Sequence, residues 1–405
     1  MFDAAGPAPT HSPLMPDDGE PLRVLLTVHH DLVVGTGAAG STLAIGEALE
    51  RRGHRVEVVG LDLLASRRGP TIDALAFPHA VARHVRRRLG ADDADVVDAS
   101  TGDLAYLGAR SARTARAALL TRSHGLEHLN AARRREGARR GETRLRWRYG
   151  LYHGGARLLE VRRSLRVADA VLALNDAEAG YLTAHLGVPP SRVHRTSELL
   201  RDLPVADPPA TQRDVLVLTP VTWRKGADVA VRVLDTVLRT EPGATASWHG
   251  VDEPGALAAR LGRDVVERVT IGGPFDTAAL VSLLAGHRVL LFPSRAEGEG
   301  MTVLEALTVG TPVVAADVPG PRDLLAGGAG VLVPDGHVEG MATAVRALLA
   351  DGARRRALGR LRTGPTRSWT SSRRPTAPCW PPRAEPARAA PARRTPRARR
   401  TGCGV

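Results

Sequence analysis

Between Arg288 and Leu325 the chain reads RVLLFPSRAEGEGMTVLEALTVGTPVVAADVPGPRDLL, and two carboxylates in it, Glu297 and Glu305, stand eight positions apart. Glu297 opens a short loop with Gly298, Glu299 and Gly300, after an apolar run that ends at Pro293 and Ser294. A helical pattern starts near Met301, is expected to carry Glu305 on its first turn, and stops at Gly310. Gly298 and Gly300 let a backbone approach a ligand closely. The unpaired amides of the helix start, at Met301 and Thr302, suit a phosphate or diphosphate, because the dipole is positive there. Two carboxylates pointed at that anion would repel it, so they are expected to face hydroxyl-bearing parts of the ligand. A nucleoside diphosphate sugar has two such parts, with the diphosphate between them. A second cluster, TPVTWRKG over 219–226, carries Lys225, the single lysine among 56 basic residues. A compact ammonium at a strand end is a fitting partner for diphosphate oxygens, and the neighbouring Arg224 offers a second charge.

These loops need strands that end where they begin. Arg23–His29 (RVLLTVH) reads as a buried strand, followed by a glycine-rich loop and a helix over Ser41–Arg52 with apolar positions at helical spacing. Gly53 stops that helix and Arg55–Leu61 is the next strand. Strand, helix and strand with short connections form the unit of a parallel sheet. Further strands are predicted at 95–98, 117–121 and 170–174. Arg201–Arg213 is polar, proline-bearing and aperiodic, as a linker is. The alternation then restarts, with strands at 215–218, 245–248, 269–271, 288–292, 312–316 and 330–333, and a helix over Thr277–Ala285. The expected organisation is a leader over 1–20, an α/β domain over 21–200, a linker over 201–213, a second α/β domain over 214–350, and a degenerate helix with a tail over 351–405.

With those residues in place the chain resembles glycosyltransferase family 4, whose members are retaining enzymes of the GT-B architecture. The E-x7-E pattern inside EGEGMTVLEALTVGTPVVAADVPG carries the likeness, which extends from about Arg213 to Leu349. The first half, with ERRGHRVEVV and ADAVLALNDAEAGYL, is similar in order and spacing. The resemblance implies two Rossmann-like parallel-sheet domains facing a cleft, the first binding acceptor and the second a nucleoside diphosphate sugar. It places Glu297 near the transferred sugar, Glu305 on the ribose hydroxyls, and His124, in LLTRSHGLEH, at the cleft beside donor sugar or acceptor. It also implies hexosyl transfer to a hydroxyl of a glycan, lipid-linked or small-molecule acceptor, with no metal and no resident cofactor. Family members usually carry an Arg five residues before the Lys at position 225. This chain has Pro220 there, and Arg224 is the candidate substitute.

Three other patterns compete for attention. Gly35-Thr36-Gly37-Ala38-Ala39-Gly40 is a literal G-x-G-x-x-G, with Asp62 downstream, so an NAD(P)-dependent Rossmann oxidoreductase is the alternative enzyme. His30–Val34 intervene between strand and first glycine, which favours a cleft loop whose Gly37 and Gly40 amides meet diphosphate or acceptor. His124-Gly125-Leu126-Glu127-His128 spells H-x-x-E-H, but the glycine and the preceding strand argue against a zinc helix. Asp93 and Asp95 precede a strand where a metal-holding pair would end one.

Composition narrows the class. In 405 residues, 43% are apolar and 24% charged, an ordinary globular mixture, and no apolar run approaches the ~18 residues of a membrane span. The acidic, proline-bearing first twenty residues lack a signal-peptide core, so the expectation is a cytoplasmic protein. The net charge of +13 invites a nucleic-acid reading, but ten Arg against one Glu lie after Arg362, in a stretch with eight prolines and no Leu, Ile, Phe or Met. Such a tail, which also holds Cys379 and Cys403, is expected to be disordered, and it has the composition of a GC-rich gene read in the wrong frame. Nothing after Leu361 suits a final helix that braces the first domain, so a catalytically impaired GT-B sugar-nucleotide or polyanion binder is a further alternative. A second basic stretch, twelve Arg against three Glu over 131–166, reads first as a solvated helix face. Its alternative is peripheral contact with anionic lipid at the inner face of the membrane.

Overall fold

The computed structural model describes residues 20–32, 37–64, 67–108, 111–112, 115–200, 203 and 208–360. The leader over 1–19, Gly35 and Thr36, most of 201–207 and the tail from Leu361 lie outside the described residues.

Among those described, twelve strands make two six-stranded sheets, parallel throughout. The first contains β1 (Arg23–Thr27), β2 (Arg55–Val59), β3 (Val96–Ser100), β4 (Ala118–Arg122), β5 (Ala170–Ala173) and β6 (Val193–Arg195), in the order β2-β1-β3-β4-β5-β6. The second contains β7 (Arg213–Leu218), β8 (Ala246–His249), β9 (Val269–Ile271), β10 (His287–Phe292), β11 (Val313–Ala316) and β12 (Val331–Val333), in the order β12-β11-β10-β7-β8-β9. Helices cover both sheets, so their central strands are near-continuous apolar runs. Val215, Leu216 and Val217 are fully buried. Strand β6 was not among the predicted strands; its three residues, Val-His-Arg, are too few to show a period.

The helices that matter for the site are α1 (Gly37–Arg51), α2 (Pro70–Gly90), α3 (Glu127–Arg139), α4 (Trp147–Leu151), α5 (Arg157–Val167), α6 (Asp176–Leu186), α7 (Ala227–Thr240), α8 (Thr277–Ala285) and α9 (Met301–Val309). Local chemistry sets their ends. Asn175 caps α6 by accepting from the Glu178 amide at 2.9 Å, and Asp276 caps α8 by accepting from Ala279 at 2.8 Å. Gly310 closes α9 at φ +93°, as a left-handed terminal glycine does. The side of α7 that bears Val229, Ala230, Val233, Leu234, Val237 and Leu238 is buried in the second core, an apolar stripe at helical spacing.

Sheet order decides where a ligand can sit. In the second sheet the order in which strands are added reverses at β7, with β10 on one side and β8 on the other. The crevice beyond the carboxyl ends at such a switch point is where open α/β sheets bind ligands. The loops leaving β7 and β10 are the two that carry Lys225 and Glu297.

Candidate active site

Those two loops are stitched together. The Arg295 amide donates to the Arg224 carbonyl at 2.9 Å, and the Arg224 guanidinium returns a bond to the Ala296 carbonyl at 3.1 Å. Trp248, fully buried, anchors the base of the first loop through Nε1 on the Thr219 carbonyl at 2.9 Å. Gly226 sits at φ +70°, and a Cβ there would lie 2.0 Å from the Pro293 carbonyl oxygen. The glycine after Lys225 is therefore a requirement of loop contact. Gly226→Ala is expected to push the loops apart, lowering thermal stability and donor affinity together; a calorimetric scan and a donor titration on one preparation check this.

The contact brings charge together. Lys225 Nζ lies 2.7 Å from Glu297 Oε1, and Arg224 lies 3.7 Å from Oε2. Burial pushes the Glu297 carboxyl up, but Lys225 and then Arg224 outweigh it and hold it below the usual carboxylate range. Two cations face one carboxylate, so the cluster keeps a positive charge to offer an anion. Gly300, at φ +92°, turns the chain into α9. Helical bonding begins with the Val303 amide on the Gly300 carbonyl at 2.8 Å, which leaves Met301 and Thr302 at the unladdered amides of the helix start.

Glu305 is the fifth residue of α9 and so stands one turn in, a correction to the expected first-turn position. A register of 3.6 residues per turn puts it over the same face as Met301. Burial pushes its carboxyl up to about 7, against a weaker pull from Lys225. Glu305 and Met301 line a cleft together with Gly37, Gly40 and Ser41 of α1, Leu199, Leu200, Leu203, Thr277 and Leu280. The glycine-rich segment of the first domain thus faces the E-x7-E helix of the second. A larger hollow, beside Val331, His337 and Gly340, is lined by neither carboxylate.

The first domain closes over the motif loop. Asn175 Nδ2 donates to the Gly298 carbonyl at 2.7 Å. A Cβ on Gly298 would meet the Gly125 backbone at 2.8 Å and Leu174 at 2.7 Å. His124, next to Gly125, stands at this meeting of domains. Its Nδ1 lies 2.7 Å from Glu198 Oε1. Farther out, Trp223 stacks between Arg295 (5.0 Å) and Arg133 of α3 (5.6 Å), and Gly137 leaves room for its ring. Arg133 also pairs with Asp335 across the domains.

Of the site residues read from sequence, Gly37, Gly40, Met301 and Glu305 line the cleft, Arg224, Lys225 and Glu297 cluster at the loop contact, Gly298 packs on Gly125, and His124 stands beside Gly125. Sequence reasoning missed Glu198, Glu299, Asn175 and Trp223. Their partners are 72 to 123 positions away, so no local spacing announces them. The H-x-x-E-H residues part company: His124 goes to Glu198, Glu127 to Arg157 at 3.0 Å, and His128 lies buried near Tyr181, its imidazole lowered to about 4 by burial. Asp95 pairs with Arg23 and Asp93 with Arg88, so both are structural. Asp62 accepts from the Gly60 amide at 2.8 Å.

The model of "Glycosyltransferase Family 4" matches residues 35–197, and that of "Glycosyl transferases group 1" matches residues 212–351. The chain is 31% identical over 231 residues to a D-inositol 3-phosphate glycosyltransferase of Kribbella flavida, 51% of this chain and 54% of that protein. It spans about half the length of the curated relative it matches there. Among solved structures it is similar to sucrose-phosphate synthase from Thermosynechococcus elongatus, with TM-score 0.68 and 20% identity over 84% of this chain and 92% of that one. It is also similar to Anabaena HepE in complex with UDP, with TM-score 0.57 and 19% identity over 85% and 96%. At such identities the structural likeness shows the fold, which is GT-B.

Proposed function

Because the chain belongs to glycosyltransferase family 4, we propose that its cleft moves a hexosyl group from a nucleoside diphosphate sugar to an acceptor hydroxyl, with retention of configuration. The observation that carries this reading is the convergence on one cleft of Gly37 and Gly40 from the first domain with Met301 and Glu305 from the second, beside the Lys225–Glu297 pair. Glu305 would accept hydrogen bonds from the ribose hydroxyls. Lys225, Arg224 and the amides of Met301 and Thr302 would take up the charge that grows on the departing diphosphate, a source of rate through preorganised electrostatics. We propose that this set performs the step without a metal ion. Glu297 would face the transferred sugar, and His124 would meet that sugar or the acceptor. The domain contact at Gly298 would exclude water. The family match displaces the oxidoreductase alternative.

A thermal-shift series in EDTA against UDP-, GDP- and ADP-sugars tests the reading, since a ligand that binds only the native state raises its apparent stability. One nucleotide series is expected to raise Tm. A protein that answers none of them, with or without a divalent cation, is not a transferase of this kind.

We further propose a peripheral contact with anionic membrane at its cytoplasmic face. Among the described residues no helix is long and apolar enough to cross a membrane. Yet among the described residues six of the seven exposed large apolar side chains fall on two neighbouring segments. Ile72 and Leu75 lie at the start of α2; Leu145, Trp147 (73% exposed), Leu151 (65%) and Leu159 lie across α4 and the start of α5. Tyr152 links the segments through the Ala74 carbonyl at 3.2 Å. Arg134, Arg135, Arg144, Arg146, Arg162 and Arg163, all exposed, lie on or near the second segment along the chain, with Arg134 over Tyr149 and Arg135 on the Gly154 carbonyl. Apolar side chains ringed by arginines fit an anionic interface. The protein is expected to sediment with phosphatidylglycerol vesicles and not with phosphatidylcholine ones, and Trp147→Ser with Leu151→Ser should abolish this. Equal sedimentation by the double variant would remove the proposal.

A further inference from the structure

We propose that Glu198 is a positioning residue for the transfer, holding His124 by Nδ1 so that the opposite ring nitrogen is presented at the domain boundary while the same carboxylate fixes the start of α1. The inference rests on the glycosyltransferase reading of the cleft and adds a residue to it.

Glu198 follows β6 on the segment that leaves the first domain, and it is buried. One carboxylate oxygen meets His124 Nδ1 at 2.7 Å; the other accepts from the Ser41 hydroxyl. The Ser41 oxygen in turn accepts from the Leu199 amide at 2.9 Å. The Glu198 amide donates to the Glu299 carboxylate of the motif loop. One residue therefore ties the histidine wall, the glycine-rich helix start and the E-x7-E loop. His124 Nε2 is buried and has no hydrogen-bond partner among the described residues. A buried nitrogen left unsatisfied is costly, and in this position a hydroxyl of donor or acceptor would relieve it.

The surrounding charges support an ionised pair. Burial lowers His124, but Glu198 outweighs it and the imidazole lies above its ordinary value. Burial raises Glu198, and His124, the Ser41 bond and Arg122 outweigh that, leaving it below the usual range. Arg122 of β4 is itself paired with Asp98 of β3 at 2.6 Å. Glu299, facing the Glu198 amide, is raised to about 7, chiefly by burial, and His30 after β1 is lowered by burial. Glu198 thus favours the protonated ring, with Nδ1–H on its carboxylate and Nε2 turned to the domain boundary.

Ring 15N shifts of His124 in the wild-type protein test this directly, and the ring should titrate above the ordinary imidazole value. In Glu198→Gln the ring should lose its proton at least one pH unit lower. The basic limb of the kcat profile should move by the same amount, and Glu198→Asp should restore part of the shift. A wild-type His124 that titrates at or below the ordinary imidazole value overturns the proposal. So does a Glu198→Gln enzyme with an unmoved titration and pH profile and only a lower Tm. Failure of the wild type to bind any nucleoside diphosphate sugar would strike the transferase reading instead, and the ring titration would still decide the coupling.

Discussion

Glu305→Ala is expected to weaken nucleoside diphosphate sugar binding by at least about 150-fold, measured by isothermal titration at pH 8, without loss of the fold. The size follows from two hydrogen bonds to an ionised carboxylate, each worth about 1.5–3 kcal/mol, against little structural role for a side chain whose surroundings offer only a weak pull from Lys225. Its pH dependence is equally specific. Burial holds Glu305 and Glu299 at about 7, so between about pH 4.3, the unfolded value, and pH 7 the folded protein keeps protons that the unfolded chain has released. The stability these two groups give the ligand-free protein is complete below that window. It is lost as pH rises through 7, to the extent of order 3 kcal/mol per group. A donor whose ribose needs the charged carboxylate reverses this at Glu305. Affinity should therefore climb between pH 6 and pH 8 in the wild type and stay flat in Glu305→Gln. Unchanged donor affinity in Glu305→Ala would take the ribose away from this residue.

Glu297→Gln is expected to behave in the opposite manner, with kcat down by about 100- to 1000-fold and donor affinity unchanged or slightly tighter. Lys225 and Arg224 keep Glu297 charged, and a charge beside the transferred sugar does most where positive charge develops at its anomeric carbon, in the transition state. In the ligand-free protein the same carboxylate occupies Lys225 at 2.7 Å. Neutralising it releases the ammonium for the diphosphate, so ground-state binding has no reason to fall. A parallel loss of KM and kcat would show that Glu297 mainly shapes the loop. Removing the other partner is a different experiment. Lys225→Ala leaves a buried carboxylate with a longer, exposed arginine contact, and a loss of about 3–5 kcal/mol of stability would accompany any effect on turnover.

The contrast between these residues and Glu198 shows what kind of information each level holds. The apolar runs at 215–218 and 288–292, the helix over Thr277–Ala285, the stop at Gly310 and the loop between Ser294 and Met301 could all be read along the chain. Each depends on neighbours within a turn or a strand, where periodicity, glycine and caps act directly. The E-x7-E pair was legible for the same reason, apart from the turn of α9 on which Glu305 falls. The two-domain parallel architecture follows from that alternation, since crossovers of one hand and buried strands leave few alternatives.

Only the folded molecule decides how those pieces meet. Gly37 and Gly40 of the first domain face Glu305 of the second only because the two domains meet at one cleft. Glu198 reaches His124, Ser41 and Glu299 across 74, 157 and 101 positions. Trp223 finds arginines from both domains, and Tyr152 reaches back to the Ala74 carbonyl of α2. Chain-local patterns determine where a strand stops and what its loop carries. Burial, charge pairing and the pKa values they set arise from contacts with no fixed sequence distance, and so belong to the tertiary structure alone.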